Sequence, residues 1–567
     1  MQHLDKPVSR AHSRTAAPDD ELVFLPLGGA GEIGMNMNLY GYGPEDDYDW
    51  LMIDCGVAFG QDNGLGVDAV MPDPTYIEER ADRLLAIVLT HGHEDHLGAV
   101  AHLWRRLRCP VYATPFTAAL LRHKLNEARL IDEVDLRILP LGGKATIGPF
   151  EIELITLTHS IPEPNAVAIR TPLGVIMHTG DWKIDPSPIV GDVTDEAALR
   201  ALGDEGVLAM VCDSTNVFQE GVSGSEDDVR TSLVKLIGGI RKGAVAVTSF
   251  ASNLARLESV VHAAHKSGRS VVVVGRAFHT IIGAAREAGF LADMPRLLGE
   301  AEAQHIPAEN LLYLCTGSQG QPRAALDRIS RGEHRHVKLG KGDTIIFSSR
   351  MIPGNEKSIY ALQDRLTDLG AAIITDGEIL THVSGHPCRD ELAQMYRWVR
   401  PQVSIPVHGE RRHMAEHGRL ADSLQVPQSL IIENGLMSRL APGTPEVVDE
   451  VPSGRLALDG RAVVEADGKA QRDRAAMASA GLAVVNIILD GSGRLACDPI
   501  LLLEGMPEQV AARLVAETPD IVRKLAGGRT SADDEEQLAE MVRREVRKRL
   551  AALWGKKPMT RVSVTRL

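Results

Sequence analysis

His91-Gly92-His93-Glu94-Asp95-His96 decides how the chain is read. Its metal-binding side chains, His91, His93, Asp95 and His96, lie between the apolar run Leu84–Leu89 and Leu97-Gly98-Ala99-Val100. That succession predicts a buried strand, a tight loop and the start of a helix. A loop at the carboxyl end of a strand can turn all of these side chains into one cleft. Imidazoles with a carboxylate among them suit zinc or manganese in a hydrolytic centre, rather than the thiolate set of a structural zinc site.

Further ligand types follow later apolar runs. His159 comes after Ile152–Thr158, Asp181 after Val175–His178 in Thr179-Gly180-Asp181-Trp182-Lys183, and His408 after Val403–Val407. A sheet delivers such residues to a shared edge. Gly29-Ala30-Gly31-Glu32-Ile33-Gly34 fits a dinucleotide fingerprint, but Met35–Tyr40 reads as a turn into another strand, not as the helix that fingerprint requires. Cys315-Thr316-Gly317-Ser318-Gln319-Gly320 lacks the Gly-Lys-Ser/Thr of a phosphate loop.

The 567 residues exceed one hydrophobic core, so several domains are expected. Strand-like runs at Val23–Leu27, Trp50–Ile53, Ala86–Leu89, Ile152–Thr156, Val167–Arg170 and Val175–His178 predict a β-rich region over 22–215. From about 222 to 375, Ala244–Phe250, Ser270–Val274, Leu311–Cys315 and Thr344–Ser348 alternate with helical stretches, the rhythm of a parallel sheet. Breaks and mixed charge over 441–462 suit a linker, placed at 451–475. Beyond it, Leu482–Leu489 reads as a strand and roughly Asp533–Trp554 as a charged helix. Residues 541–567 are strongly basic, with Glu545 their one acidic residue, which fits either a solvated helix face or an RNA- or partner-facing surface. The polar start, residues 1–20, predicts a disordered tail rather than a signal peptide.

The net charge of −15 argues against a general nucleic-acid coat but leaves room for a local basic site. No run is long and apolar enough to span a membrane, so no membrane partner is expected. Cys55, Cys109, Cys212, Cys315, Cys388 and Cys497 are scattered, as expected of reduced thiols in a cytosolic compartment.

The H-x-H-x-D-H pattern resembles the signature of the metallo-β-lactamase superfamily, which implies an αββα sandwich with a metal site along one edge. The resemblance implies one divalent ion held by His91, His93 and His159 and a second held by Asp95, His96 and His408. Asp181 would bridge them, and Asp54, in Ile53-Asp54-Cys55-Gly56, would orient the loop from behind. Asp213 before Ser214-Thr215, His386 after Ser384-Gly385, and His408 in Val407-His408-Gly409 resemble the added motifs of the β-CASP group. That group acts on nucleic acids and carries a parallel-sheet α/β domain inserted within the lactamase fold.

Gly28–Met37, Cys315–Gly320, Ile352–Glu356 and His382–His386 together resemble the bacterial ribonuclease J family, across about 22–450 and into the basic tail domain. The implied architecture is an α/β lactamase sandwich in two parts, 21–221 and 376–450. A β-CASP domain at 222–375 would separate them, and a small α+β domain at 476–567 would follow. The implied activity is two-metal hydrolysis of RNA in processing and decay. It would run 5′ to 3′ from monophosphorylated single strands, with internal cleavage as well, in the cytoplasm. Zn2+ is the expected ion, with Mn2+ as the alternative. A homodimer or homotetramer through the C-terminal domain is implied too. His386, positioned by Asp213, is expected to assist at the leaving oxygen, beside Asp95 and the metals. His382, Val383, Ser384, Gly385 and His386 would form the terminal-phosphate loop. Rival readings are a DNA-directed β-CASP nuclease, a small-molecule metallo-hydrolase, which would need neither the insertion nor the Asp213/His386 pair, and a non-enzymatic scaffold, which should have lost ligands. Arg350-Met351 departs from the family, where small residues are expected before Ile352-Pro353.

Overall fold

The computed structural model describes residues 16–59, 66–526 and 535–567. Most of the tail expected at 1–20 lies outside these. The described residues fall into two compact units, one within Met1–Ala58 and Met71–Gly454, the other within Phe59–Val70 and Arg455–Leu567.

The first unit contains a sandwich of two sheets. One runs, in spatial order, Glu446–Glu450, Leu436–Ala441, Asp20–Gly28, Met37–Pro44, Asp49–Ile53, Leu84–Val88, Val111–Ala113 and Leu136–Ile138. The other runs Gln428–Ser429, Val403–Val407, Ala209–Asp213, Gly174–His178, Asn165–Thr171, Phe150–Thr156 and Lys144–Ile147. Alternation along the strands explains the layering. Phe24, Tyr40, Leu51, Ile53 and Val88 turn inward to meet Ile152, Val167, Ile169, Ile176, Val211 and Ile405 in the central core. The opposite face of the second sheet packs Ala168, Met177, Met210 and Cys212 beneath Leu199, Leu392, Tyr396 and Leu420 of covering helices. This is the expected αββα sandwich.

Between Asp213 and Val403 the chain builds a separate parallel sheet, ordered Ser270–Val274, Leu311–Cys315, Val245–Thr248, Thr344–Phe347 and Ala372–Ile374. Its strands read as near-continuous Val, Ile and Leu because helices cover both faces. The chain then returns to the sandwich. Val403–Val407 lies parallel to Ala209–Asp213, with Val407 opposite Asp213, and Leu436–Ala441 closes beside Asp20–Gly28.

Buried carboxylates pin the place where the chain leaves and re-enters. Asp185 accepts from the backbone N–H of Glu226 at 2.9 Å and from Ser225 Oγ at 2.6 Å, holding the N-terminus of helix Glu226–Gly239. Glu391 accepts from the N–H groups of Ile184, Ser223 and Cys388 and from the Ser223 hydroxyl, at 2.8 to 2.9 Å. One carboxylate thus ties an outgoing segment, a returning segment and the sandwich.

In the second unit, strands Ile500–Glu504, Leu482–Leu489 and Met559–Arg566 form a sheet. Helices Glu508–Ala526 and Glu535–Trp554 cover one face through Leu514, Val522, Leu538, Val542 and Leu550. The expected linker at 451–475 is instead structured. Arg455–Asp459 and Ala462–Glu465 form an antiparallel pair, and helix Lys469–Ala480 follows. Leu456 and Ala457 are buried, so the Pro/Gly breaks around them are turns between short strands. The basic stretch is also less bare than it reads. Arg543 and Arg544 pair with Glu540, Arg549 with Glu517, Arg561 with Asp473 and Arg566 with Glu535. Those acids precede residue 541, so a local charge count misses them, and the pairing favours a solvated helix face.

Replacing Glu391 with alanine would strand three buried N–H donors, at a cost of about 1–3 kcal/mol each. Amide hydrogen exchange at Ile184, Ser223 and Cys388 should accelerate in that variant, while amides of Ser270–Val274 keep their protection. Unaltered exchange at the three sites would show that Glu391 does not hold the junction.

Candidate metal centre

Strand Leu84–Val88 is followed by Leu89 and Thr90, and the loop His91–His93 runs into helix Glu94–Leu97. Asp54 stands at the end of the neighbouring strand Asp49–Ile53, in a left-handed turn at φ 64°. Its carboxylate is fully buried and accepts from Thr90 N at 2.8 Å and Thr90 Oγ1 at 2.9 Å. It also meets His96 Nδ1 at 2.7 Å. With Nδ1–H committed to Asp54, His96 offers Nε2 to the cleft, the usual way an outer carboxylate orients a metal-binding imidazole.

The side chains expected to act as ligands converge. His91, His93, His159 and Asp181 bring one ligand atom each within 4.8 Å of one another, as do Asp95, His96, Asp181 and His408. A third such group is Asp181, Asp213, His386 and His408. Asp181 is common to all three. Its Oδ2 lies 3.2 Å from His96 Nε2, 3.9 Å from His159 Nε2 and 4.0 Å from His91 Nε2. Gly180 aims it: at φ +57°, a Cβ there would come 2.9 Å from Thr90.

His408 adopts φ 51° at the end of its strand. Its N–H donates to Gly29 O at 2.6 Å, and Ala30-Gly31 pairs in parallel with Gly409-Glu410. The glycine-rich segment that mimics a dinucleotide fingerprint is therefore a backbone strap on the His408 turn. A Cβ on Gly29 would meet Asn36 Oδ1 at 2.3 Å, and Asn36 Nδ2 in turn donates to Asp95 O at 3.0 Å. Thr215 Oγ1 donates to Asp213 Oδ1 at 2.7 Å and accepts from His408 Nδ1 at 2.9 Å. His408 Nε2 is left facing Asp95 Oδ2 at 3.2 Å.

The His382–His386 segment enters beside this cluster. His386 Nδ1 meets Asp213 Oδ2 at 2.8 Å, and its ring stacks on His408 with centroids 5.5 Å apart. Gly385 O lies 2.5 Å from His159 Nδ1, an approach only glycine permits because a Cβ would sit 2.8 Å from the His159 ring. Ser384 Oγ accepts from Asn216 Nδ2 at 2.6 Å and from His386 N at 3.1 Å. His382 N donates to Asp376 Oδ1 at 3.0 Å. Val383 is buried, with Gly224 packed against it, so it fixes the backbone and faces the domain junction. Thr90, Asn36, Thr215 and Asn216 escaped the sequence reading as orienting groups. Thr90, Thr215 and Asn216 lie within or beside motifs quoted for their site residues and Asn36 in the glycine-rich stretch Gly28–Met37, and only that adjacency could have signalled them.

The donor set fits divalent cations. Burial holds His91 and His159 well below the ordinary imidazole range and His93 down to about 4, so each is neutral with a lone pair to give. Burial opposes charge on His96 and His408 as well, but Asp181 and its neighbouring carboxylates outweigh it, raising His96 well above its usual value and His408 to about 10. Carboxylates that keep protons on neighbouring imidazoles so strongly present a site that demands positive charge, and a metal can satisfy that demand. Burial would raise Asp181, Asp95 and Asp213, yet the histidines around them hold all three low. Asp181 Oδ1 is buried without a hydrogen-bond partner, which leaves a lone pair that a cation would satisfy.

Alanine at Asp54 should release His96 and weaken metal retention about 10–100-fold. Elemental analysis after graded chelation checks this, with circular dichroism confirming the fold. Retention equal to the parent would exclude Asp54 from orienting the site.

Four families match the chain in sequence: a β-lactamase superfamily domain at 49–207, the ribonuclease J β-CASP domain at 242–366, a Zn-dependent metallo-hydrolase RNA specificity domain at 378–427, and the ribonuclease J C-terminal domain at 470–567. The chain is 44% identical over 565 residues to ribonuclease J of Sinorhizobium meliloti, covering 99% of this chain and 100% of that one. It is 39% identical over 541 residues to ribonuclease J of Mycolicibacterium smegmatis, covering 94% and 95%. A crystal structure of a protein of unknown function from Enterococcus faecalis shares the fold at a TM-score of 0.50 and 15% identity, over 74% of this chain and 100% of that one. With relatives matched from end to end at this identity, the chain belongs to the ribonuclease J family.

Proposed function

We propose that the chain is a metal-dependent ribonuclease that hydrolyses RNA phosphodiester bonds 5′ to 3′ from monophosphorylated single-stranded ends and also cuts internally, in RNA processing and decay. The observation that carries this reading is the seating of the His382–His386 segment against the His/Asp cluster, through Gly385 O on His159 and His386 on Asp213. A loop rich in polar donors there suits a phosphate beside a hydrolytic centre.

His91, His93 and His159 would hold one divalent ion, Asp95, His96 and His408 a second, with Asp181 shared between them. Zn2+ is the ion this N/O set suits, and Mn2+ the alternative. When bound, the ions supply Lewis acidity and an activated water for in-line attack at phosphorus. The chain's own residues do the rest. Asp54 and Thr215 fix the tautomers of His96 and His408. Burial disfavours charge on His386, but Asp213 and Asp181 raise its affinity for a proton, which suits donation to the leaving oxygen. Asn216 holds Ser384 and the His386 carbonyl, keeping that imidazole aimed. The same reading includes a homodimer or homotetramer through the C-terminal domain, supported by exposed Ile500 and Leu502 on its sheet. It also includes a cytoplasmic setting, supported by cysteines that are all unpaired. Among the described residues no helix is long and apolar enough to cross a membrane.

One RNA bearing a 5′ monophosphate, triphosphate or hydroxyl, alongside DNA of equal sequence, tests the substrate. Mononucleotide release should be fastest from the monophosphorylated RNA; a preference for DNA, or no cleavage with metal supplied, would end the reading. His386→Ala should lower turnover about 100-fold or more with metal content unchanged, the scale of a lost general acid. Undiminished turnover would remove His386 from the mechanism.

A further inference from the structure

Thr344–Phe347, a strand of the inserted sheet, delivers its next residues to the start of the His382–His386 segment. Ser348 Oγ donates to Thr381 O at 2.6 Å, and Thr381 Oγ1 donates to Phe347 O at 2.9 Å. Just beyond, the nearly buried side chain of Gln319 clamps the backbone. Its Nε2 donates to Arg350 O at 2.8 Å and its Oε1 accepts from Ile352 N at 2.9 Å. Arg350 is thus fixed at its main chain while its side chain is exposed.

His382 feels three cations. Burial comes first, then Arg256, Arg350 and Lys183, and together they hold its imidazole well below the ordinary range. Two of these cations are committed elsewhere. Arg256 is fully buried and pairs with Glu226 at 2.9 Å, while its Nη1 donates to Ser348 O and Thr381 O at 2.8 Å. Lys183 is buried and pairs with Asp185 at 3.0 Å. Arg350 differs: among the described residues no carboxylate lies within the 4.0 Å of an ion pair. A guanidinium held at its base, unpaired and beside a neutral imidazole has the planar donor fork that matches a phosphate.

We propose that Arg350 grips the 5′-terminal phosphate of the RNA at the mouth of the His382–His386 segment and sets how strongly this chain prefers monophosphorylated ends. The inference rests on the substrate reading above and adds to it one named residue.

The test uses the full-length, metal-loaded enzyme and its Arg350→Ala and Arg350→Lys variants on one RNA with a 5′ monophosphate or a 5′ hydroxyl. Arg350→Ala should reduce the ratio of kcat/KM between the two RNAs about tenfold or more, as expected for one lost charge-assisted contact. The salt dependence of binding to the monophosphorylated RNA should flatten by about 0.7 in log–log slope. Arg350→Lys should keep that slope but recover only part of the ratio, because an ammonium lacks the fork. A parent enzyme that prefers the monophosphate beside an Arg350→Ala variant with the same ratio overturns this inference alone. Equal losses on both RNAs overturn it too, by assigning Arg350 to an internal phosphate. A parent enzyme with no preference removes the substrate reading itself, and this inference with it.

Discussion

The site depends on one piece of strand pairing. Val403–Val407 returns from the inserted domain and lies parallel to Ala209–Asp213, with Val407 opposite Asp213. That register puts His408 beside the Asp213–Asn216 turn, where Thr215 meets its Nδ1. Side chains alternate between faces along a strand, so a slip of one residue would point His408 away and turn Ile405 and Val407 out of the core. The apolar core enforces the register, since Val403, Ile405 and Val407 pack with Val211 and Ile176. Geometry at the metal centre is thus set by hydrophobic burial between sheets, and the glycine strap Ala30-Gly31 on Gly409-Glu410 only finishes it.

The electrostatics of the cluster follow from that enforced proximity. Asp181 and Asp213 are buried with His91, His96, His159 and His408. Desolvation alone would neutralise every one of them. Instead the acids are held low and two of the histidines high, because each carboxylate faces several imidazoles. An unpaired charge in such a place is expensive. The arrangement is tolerable as a whole and poor in its parts, so the demand for cations belongs to the seven converging side chains together. Asp181, shared by every group, is where those groups meet.

Much of this was legible in the chain. Strands Ser270–Val274 and Leu311–Cys315 fall where continuous Val, Ile and Leu runs put them, because burial on both faces writes itself as an unbroken apolar run. The ligands were legible for a related reason, each being a polar residue directly after such a run. What was lost was lost to distance or chemistry. The role of Gly29-Ala30-Gly31 is a contact with His408, far along the chain, and no local pattern encodes it. The strands at Arg455–Asp459 and Ala462–Glu465 are short and half-exposed, so their composition reads as linker. The basic tail stayed open between a solvated face and an RNA- or partner-facing surface because its partners Glu517, Glu535 and Glu540 precede it. Helix Glu508–Ala526 carries Pro519 within it, which by propensity should end a helix, yet burial of Leu514 and Val522 outweighs that penalty.

The domain junction explains why insertion and site are joined as they are. Glu391 binds Ile184, Ser223 and Cys388 at once, so the segment carrying Ser384, Gly385 and His386 is anchored at its exit to both the outgoing chain and the sandwich. At its entry, Arg256 holds Ser348 and Thr381 from within the inserted domain. The segment is therefore suspended between the domains, its first residues answering to one and its last to the other. On the proposed reading this splits the labour along five residues. His386, at the sandwich end, belongs to bond cleavage, and His382, at the inserted-domain end, belongs to recognition of the RNA terminus. Substitutions in the inserted domain should then alter which ends are chosen while sparing the metal centre, because the strand pairings that position the metal-binding side chains lie outside the inserted sheet.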